Sequence, residues 1–129
     1  MPGAVIRFRV DIGATLAIGP GKIALLEKIG ETGSLSAAAR ALGMSYRRAW
    51  QLLDSLNAGL KQPVTEARKG GTHGGGSRLT TRGRELIRIY RAFDAEVQRR
   101  AHGAFSPIRA RARSGTAARR GSVLRLSAR

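Results

Sequence analysis

The sequence contains no cysteine and only two histidines, and both shortages exclude classes of site. Without cysteine there is no disulfide and no thiolate zinc site. His73 and His102 have no further ligand at metal-binding spacing, and no nucleophile or carboxylate pair has a plausible catalytic partner. We therefore expect no metal site, no cofactor and no catalytic residues, so the chain is not expected to be an enzyme.

Long apolar segments are also missing. No run approaches the roughly 20 residues that cross a bilayer, and the first residues lack the apolar centre of a signal peptide. We expect a cytoplasmic protein without a membrane partner. The 129 residues, 42% of them hydrophobic, are enough for one domain with a small core.

Acidic residues are scarce, and basic residues are abundant. Twenty-four Lys and Arg stand against eight Asp and Glu, which gives a net charge of +16. Residues 104–129 hold seven arginines and no acid, so we predict a basic, disordered tail. Residues 1–103 keep 17 basic and eight acidic residues, a net charge of +9. Such an excess favours nucleic acid or an anionic membrane surface as partner.

The most informative stretch is 33–57, where two short amphipathic patterns flank a tight turn. Ser34 is placed to cap the first helix, and Gly43 followed by Ser45 separates it from the second. The first helix has apolar residues at i, i+3, i+4 and i+7, namely Leu35, Ala38, Ala39 and Leu42. The second has an apolar stripe of Tyr46, Ala49, Trp50, Leu53 and Leu56, opposite Arg47, Arg48, Gln51 and Ser55. This pattern is typical of a helix-turn-helix.

The segments on either side complete a larger pattern. Residues 5–12 alternate between apolar and polar and predict one half-buried strand, and a helix after Pro20 is expected to stop before Gly33. After Pro63, two short strands around a glycine-dense loop have the layout of a wing. The fold class expected is thus mainly α: a winged helix-turn-helix with an N-terminal strand, three helices, a two-stranded wing and a long C-terminal helix.

That long helix is predicted over about 82–101. Its apolar stripe consists of Leu86, Tyr90, Phe93 and Val97, widened by Ile87 and Ile89. One interpretation is a dimerisation helix whose stripe packs on a second copy. The other is that the stripe covers only the core of its own domain.

These residues together resemble the N-terminal domain of ModE-type molybdate-responsive transcriptional regulators and, more distantly, the LysR-type helix-turn-helix. Three places between about 5 and 101 carry the resemblance. They are Gly33 to Ser36 with the alanine-rich helix after it, Ser45 to Trp50 with Leu56 and Asn57, and the glycines at 70–71 and 74–76 with Leu79, Thr80 and Gly83. The Ser-Tyr-basic-x-Ala-Trp string of the second place is the most specific.

The resemblance implies a bacterial DNA-binding regulator that dimerises through its long helix and binds a palindromic operator. In that family a separate C-terminal β-barrel domain senses the oxyanion. Nothing after Phe105 is long or apolar enough to form such a domain, although the final Ser127-Ala128-Arg129 is similar to the lead-in to one. Molybdate binding by this chain is therefore not expected.

The site residues follow from this pattern. The recognition helix is expected to contact double-stranded DNA through Ser45, Tyr46, Arg47, Arg48 and Gln51. Arg47 and Arg48 are the expected base contacts, with Gln51 one turn on as a reader of adenine, and Ser45 and Tyr46 are expected to touch the DNA backbone. The wing is expected to reach a neighbouring phosphate or the minor groove through Lys69, Thr72, His73 and Arg78. Trp50 is assigned to the core. The alternative function is a non-specific architectural protein that coats nucleic acid through counterion release.

Overall fold

The computed structural model describes residues 1–68 and 76–114 and confirms the mainly α, winged-helix class. The helices are α1 (Pro20–Thr32), α2 (Leu35–Ala41), α3 (Tyr46–Gly59), α4 (Thr81–Ala104) and α5 (Ser106–Arg109). The strands are β1 (Val10–Ile12), β2 (Leu16–Ile18), β3 (Thr65–Arg68) and β4 (Gly76–Leu79). Contacts divide the chain into one unit of residues 7–94 and another that joins residues 1–6 to the segment from Ala95 onward. All helix-turn-helix and wing residues belong to the first unit.

The N-terminal segment differs from the single strand predicted over residues 5–12. Only Val10–Ile12 is a strand, and it pairs antiparallel with Leu16–Ile18, with Ile12 opposite Leu16. Gly13, at φ 64°, lies in the turn between them. Ile12 is exposed, contrary to the alternation, whereas Leu16 and Ile18 are buried. The second strand was missed because three residues are too few to show a period.

Two neighbouring clusters of buried side chains form the core of the 7–94 unit. The first contains Leu16, Ile18, Ile23, Leu26, Leu56, Val64 and Tyr90. The second contains Leu25, Ile29, Leu35, Ala38, Ala39 and Ala49. Helix α1 contributes to both, since Ile23 and Leu26 enter one and Leu25 and Ile29 the other. Helix α1 thus lies between the two clusters, and α2 and α3 pack against it.

The apolar stripe of α4 is used largely within its own chain. Tyr90 is only 5% exposed and stacks on Phe8 at 5.1 Å between ring centroids, and Leu86 packs against the first cluster. Tyr90 therefore belongs to the core of its own domain, as the second interpretation has it, and not to a contact with a second copy, because the N-terminal segment brings Phe8 over it. Phe93 meets Phe8 edge-on at 5.5 Å and stays 49% exposed, and Val97 is half-buried.

The segment after 103 is partly helical, which corrects the prediction of disorder from residue 104. Helix α4 continues to Ala104, and α5 follows with Pro107 in its first turn, where the missing N–H of proline costs nothing. Arg109 donates from Nε to the carbonyl of Pro2 at 3.0 Å. Arginine content alone does not prevent local order when a side chain finds backbone acceptors. The part of the predicted tail from 115 to 129 lies outside the described residues.

An ion pair joins α1 to α4. Arg91 donates from Nε and Nη2 to the two carboxylate oxygens of Glu27 at 3.0 and 2.5 Å. This hydrogen bonding lowers the pKa of Glu27 below its ordinary 4.5 and outweighs the opposing effect of burial. Because the side chains are 44% and 31% exposed, water screens the pair, and we expect it to stabilise the fold by about 0.5–1 kcal/mol.

Replacing Glu27 with glutamine is expected to lower the free energy of unfolding by that amount at pH 7. The loss should persist above pH 4.5 and shrink as the pH falls through the lowered folded-state pKa, because the carboxyl is then protonated in both states. Urea unfolding at pH 7, 5 and 3 measures it. Glu31→Gln, which removes only the exposed pair with Lys28, is the matched control. If the difference in unfolding free energy between wild type and Glu27→Gln were the same at pH 7 and pH 3, the ion pair with Arg91 would not be its cause.

Candidate nucleic-acid interface

The helix-turn-helix is held by two serine caps and two left-handed glycines, as predicted. Ser34 Oγ accepts the N–H of Ala37 at 3.0 Å, and Ser45 Oγ accepts the N–H of Arg48 at 3.1 Å. Gly33 at φ 79° ends α1, and Gly43 at φ 67° lies in the turn before α3. Both helices therefore begin at fixed residues, which sets the side chains that the first turn of α3 presents.

Small side chains bring α2 close to its neighbours. Ala38 and Ala39 are buried in the second core cluster together with Ala49 of α3. Alanine at these facing positions lets the helix backbones approach, and larger side chains there would separate them. The close packing fixes α3 along its inner face, which is centred on the buried residues Ala49 and Leu56.

The outer face of α3 carries the candidate DNA contacts. Since successive helical residues are rotated by about 100°, Arg47 lies almost opposite Ala49 and Leu56, with Gln51 about 40° away. Arg47 and Gln51 are exposed. Asp54 is exposed on the same face, and sequence reasoning did not select it. The outward face thus offers a guanidinium, an amide and a carboxylate within about two helical turns.

Tyr46 and Trp50 are exposed, which contradicts their assignment to the apolar stripe. Tyr46 is 57% exposed and Trp50 is 52% exposed. The predicted stripe spans about 120° of the helix, and the core covers only the side around Ala49 and Leu56. Periodicity identified the apolar residues correctly but does not indicate how wide a stripe the neighbouring helices cover.

Arg48 lies on the opposite flank of the outer face, next to Lys22 of α1. Lys22 Nζ donates to the carbonyl of Ala17 at 2.7 Å and to Ser55 Oγ at 3.0 Å, and so ties α1 to the hairpin and to α3. Burial, followed by the charges of Arg9 and Arg48, lowers the pKa of Lys22. Sequence reasoning missed this lysine because its partners lie five and 33 residues away. Asp11, paired with Arg9 at 2.9 Å, offsets part of this charge, and the remaining excess of positive charge on the flank favours phosphate.

The wing is anchored to the helix-turn-helix through the backbone. Strands β3 and β4 pair from Thr65 with Leu79 to Arg68 with Gly76, and Ser77 N–H donates to the carbonyl of Gly33 at 2.9 Å. Arg78 is exposed, and its Nε contacts Glu66 Oε1 at 2.8 Å. The other predicted wing contacts, Lys69, Thr72 and His73, lie outside the described residues.

The base of the wing is joined to α4 by a close backbone contact. Thr80 N–H donates to the carbonyl of Val64 at 3.0 Å, and Thr80 Oγ1 accepts the N–H of Gly83 at 3.1 Å, so Thr80 caps the first turn of α4. A Cβ on Gly83 would lie 2.2 Å from the carbonyl oxygen of Val64. Only glycine fits at this point, so the position of the wing depends on it.

Other kinds of site are not found in the described part of the chain. Within residues 1–68 and 76–114, no three His, Asp or Glu side chains are grouped to hold a metal ion. None of the described helices is long and apolar enough to cross a membrane.

Known proteins are similar to this chain in sequence. The model of the family described as "Bacterial regulatory helix-turn-helix protein, lysR family" matches residues 21–84. The molybdenum-pterin-binding protein MopB of Rhodobacter capsulatus is 48% identical over 62% of this chain and 30% of its own length. The transcriptional regulator ModE of Yersinia pestis is 37% identical over 67% of this chain and 33% of its own length.

A solved structure supports the fold. The chain in the crystal structure of the CbnR DNA-binding domain with DNA is 24% identical, with a TM-score of 0.51, over 72% of this chain and 97% of that one. The curated relatives extend further than this match, since this chain spans about a third of their length. Regulators of this kind are not enzymes, in agreement with the expectation from the sequence. Residues 21–84 thus match the lysR-type bacterial regulatory helix-turn-helix, and the chain is similar to the N-terminal part of the ModE-type transcriptional regulators.

Proposed function

We propose that this chain is a sequence-specific, DNA-binding transcriptional regulator of ModE type. The observation that carries the proposal is the outer face of α3, where Arg47 and Gln51 project from a helix whose inner face is packed and whose first turn is capped. In helix-turn-helix units the second helix enters the major groove with its N-terminal residues at the base edges. The relatives named as transcriptional regulators support this reading.

Each exposed group on α3 has a matching partner in the groove. Arg47 can bridge the O6 and N7 of guanine, and Gln51 can pair with the N6 and N7 of adenine. Asp54 can accept from the N4 amino group of cytosine and disfavours phosphate at its position. The sequence favoured Arg48 as a base contact, but it lies on the flank towards Lys22, so we assign it to the DNA backbone together with Ser45 at the helix N-terminus.

Positive charge supplies the remaining affinity. The net charge of +16 favours association with any duplex through counterion release. On the wing, Arg78 is exposed but paired with Glu66, so its charge is balanced there. Lys69, Thr72 and His73 stay predictions for the same surface. This term is independent of sequence, so it strengthens binding without choosing the operator.

We further propose that two copies bind a palindromic operator through α4. Ile89 is 59% exposed and Phe93 is 49% exposed, one helical turn apart. An apolar pair at this spacing fits a second copy of the same helix, related by a twofold axis. Since Tyr90 and Leu86 serve the core of their own chain, the contact is expected to centre on Ile89 and Phe93. Sedimentation of Ile89→Glu/Phe93→Glu as a monomer would support it, and sedimentation of that variant as a dimer would contradict it.

Selection from random duplexes tests the main proposal against a non-specific coat. A regulator is expected to return one palindromic sequence, whereas a coat returns mixed sequences with salt-sensitive affinity. Truncation after Ser114 sharpens the comparison, because it removes four arginines and keeps α5. The regulator should keep its preferred sequence at lower overall affinity. Loss of most binding on truncation would favour the coat.

The two serine caps provide a matched pair of variants. Ser34→Ala and Ser45→Ala each remove one side-chain cap and are expected to cost a similar amount of stability, about 1 kcal/mol. Only Ser45 begins the proposed recognition helix, so only Ser45→Ala should also weaken binding to the selected duplex. Thermal unfolding and fluorescence anisotropy measure the two effects. Equal loss of DNA affinity in both variants would mean that Ser45 acts only through stability.

A further inference from the structure

The exposed aromatic pair on α3 is not explained by folding. Tyr46 and Trp50 are one helical turn apart on the same flank, 57% and 52% exposed. Neither residue belongs to a core cluster, although their neighbours Ala49 and Leu53 pack there. Aromatic rings held in water at this exposure add little to stability, since apolar surface contributes when it is removed from water.

The surroundings of the pair identify the kind of partner. Around the helix from Trp50, Arg47 lies about 60° away and the exposed Asp54 about 40° away, while Arg48 and Lys22 occupy the far flank, so this face keeps a net positive charge. A partner that covers this face must therefore carry negative charge and also offer an apolar group to the indole. The major groove of DNA does both, because it is lined by phosphates and displays the C5 methyl group of thymine.

We propose that Trp50 is a specificity-determining residue that packs its indole against the C5 methyl of a thymine in each half-site. Tyr46, at the first position of α3, is proposed to lie beside the indole, on the side nearer the DNA backbone. The inference rests on the proposed function, because it needs α3 in the major groove. It adds an apolar contact to the hydrogen bonds of Arg47 and Gln51 and requires a thymine next to the bases that they read.

Replacement of single thymines by deoxyuridine isolates this contact, since only the methyl group is removed. Each thymine of the selected palindrome is replaced in turn, in both half-sites, and affinity is measured by anisotropy. For the wild-type chain one position is expected to lose about fourfold per half-site, the effect of one buried methyl. In Trp50→Ala the same replacement should have no effect, while Trp50→Phe should retain part of it.

Controls separate this contact from a general loss of affinity. Thermal unfolding of Trp50→Ala measures what the half-buried ring contributes to the fold, and the affinities are compared at a temperature where both proteins are folded. Trp50 is the single tryptophan, so its emission should shift to shorter wavelength on the selected duplex and less on the duplex with deoxyuridine at that position. Gln51→Ala should leave the deoxyuridine effect in place.

The outcomes distinguish the two proposals. If selection returns no preferred duplex, the proposed function itself fails. If a palindrome is selected but Trp50→Ala weakens thymine and deoxyuridine duplexes by the same factor, the methyl contact is overturned and the regulator remains. The methyl contact is also overturned if the wild-type protein binds single-stranded DNA more tightly than the duplex and Trp50→Ala removes that preference. The indole would then stack on bases.

Discussion

Replacing Arg47 with alanine is expected to lower affinity for the selected duplex roughly 5- to 150-fold, which corresponds to about 1–3 kcal/mol of lost discrimination. Arg47 lies near the centre of the outer face of α3, directly opposite the buried Ala49 and Leu56. The variant should also accept several bases at the position that wild type reads as guanine. Competition by duplexes with each of the four bases at that position measures both effects.

Arg48→Ala provides the contrast on the same helix. Because Arg48 lies on the flank beside Lys22, we expect its loss to weaken all duplexes by a similar factor and to reduce the salt slope by about one. Arg100→Ala removes the same charge from the exposed surface of α4 and should leave base preference intact. If Arg47→Ala weakened every sequence equally, as Arg48→Ala is expected to, Arg47 would not be a base contact.

Replacing Gly83 with alanine is expected to lower the free energy of unfolding by at least about 1–3 kcal/mol. The new Cβ would lie 2.2 Å from the carbonyl oxygen of Val64 and 3.1 Å from its carbonyl carbon. Both atoms are backbone, so no side-chain rotation relieves the overlap. The strain should also break the hydrogen bond from Thr80 N–H to Val64, which joins the wing to α4. Urea unfolding followed by circular dichroism measures the loss.

Gly21→Ala is the matched control for this substitution. Gly21 lies in the first turn of α1, and an added Cβ there would have no neighbouring heavy atom within 4 Å. Alanine there should stabilise the fold by about 0.4–1 kcal/mol, because it restricts the unfolded chain and favours the helix. If both variants changed stability in the same direction and to the same extent, the close contact at Gly83 would not be the cause.

Local chemistry made most of the element boundaries readable in the sequence. Ser34, Ser45 and Thr80 each accept a backbone N–H within their own first turn, and Gly33 and Gly43 adopt positive φ where the chain must turn. These interactions span three or four residues, so the sequence reports them directly. The exposed polar side chains of α3 were also predictable. Once Ser45 fixes the start of the helix, the helical period determines which residues point outward.

Contacts between distant residues were not readable in this way. Phe8 covers Tyr90 across 82 positions of sequence, and this contact turned a predicted dimer residue into a core residue. The short hairpin of Val10–Ile12 with Leu16–Ile18, and Lys22 between Ala17 and Ser55, likewise depend on partners that no local pattern specifies.

The sequence by itself determined the mainly α class, the two caps of the helix-turn-helix, the glycine-rich wing and the positive charge, because each depends on composition or on neighbours within one helical turn. Only the tertiary structure decided which part of each apolar stripe is covered. Helices α1 and α2 bury Ala49 and leave Tyr46 and Trp50 in solvent, since a helix buries only the sector that faces its neighbours. That division placed Trp50 beside Arg47 on the surface proposed to read DNA.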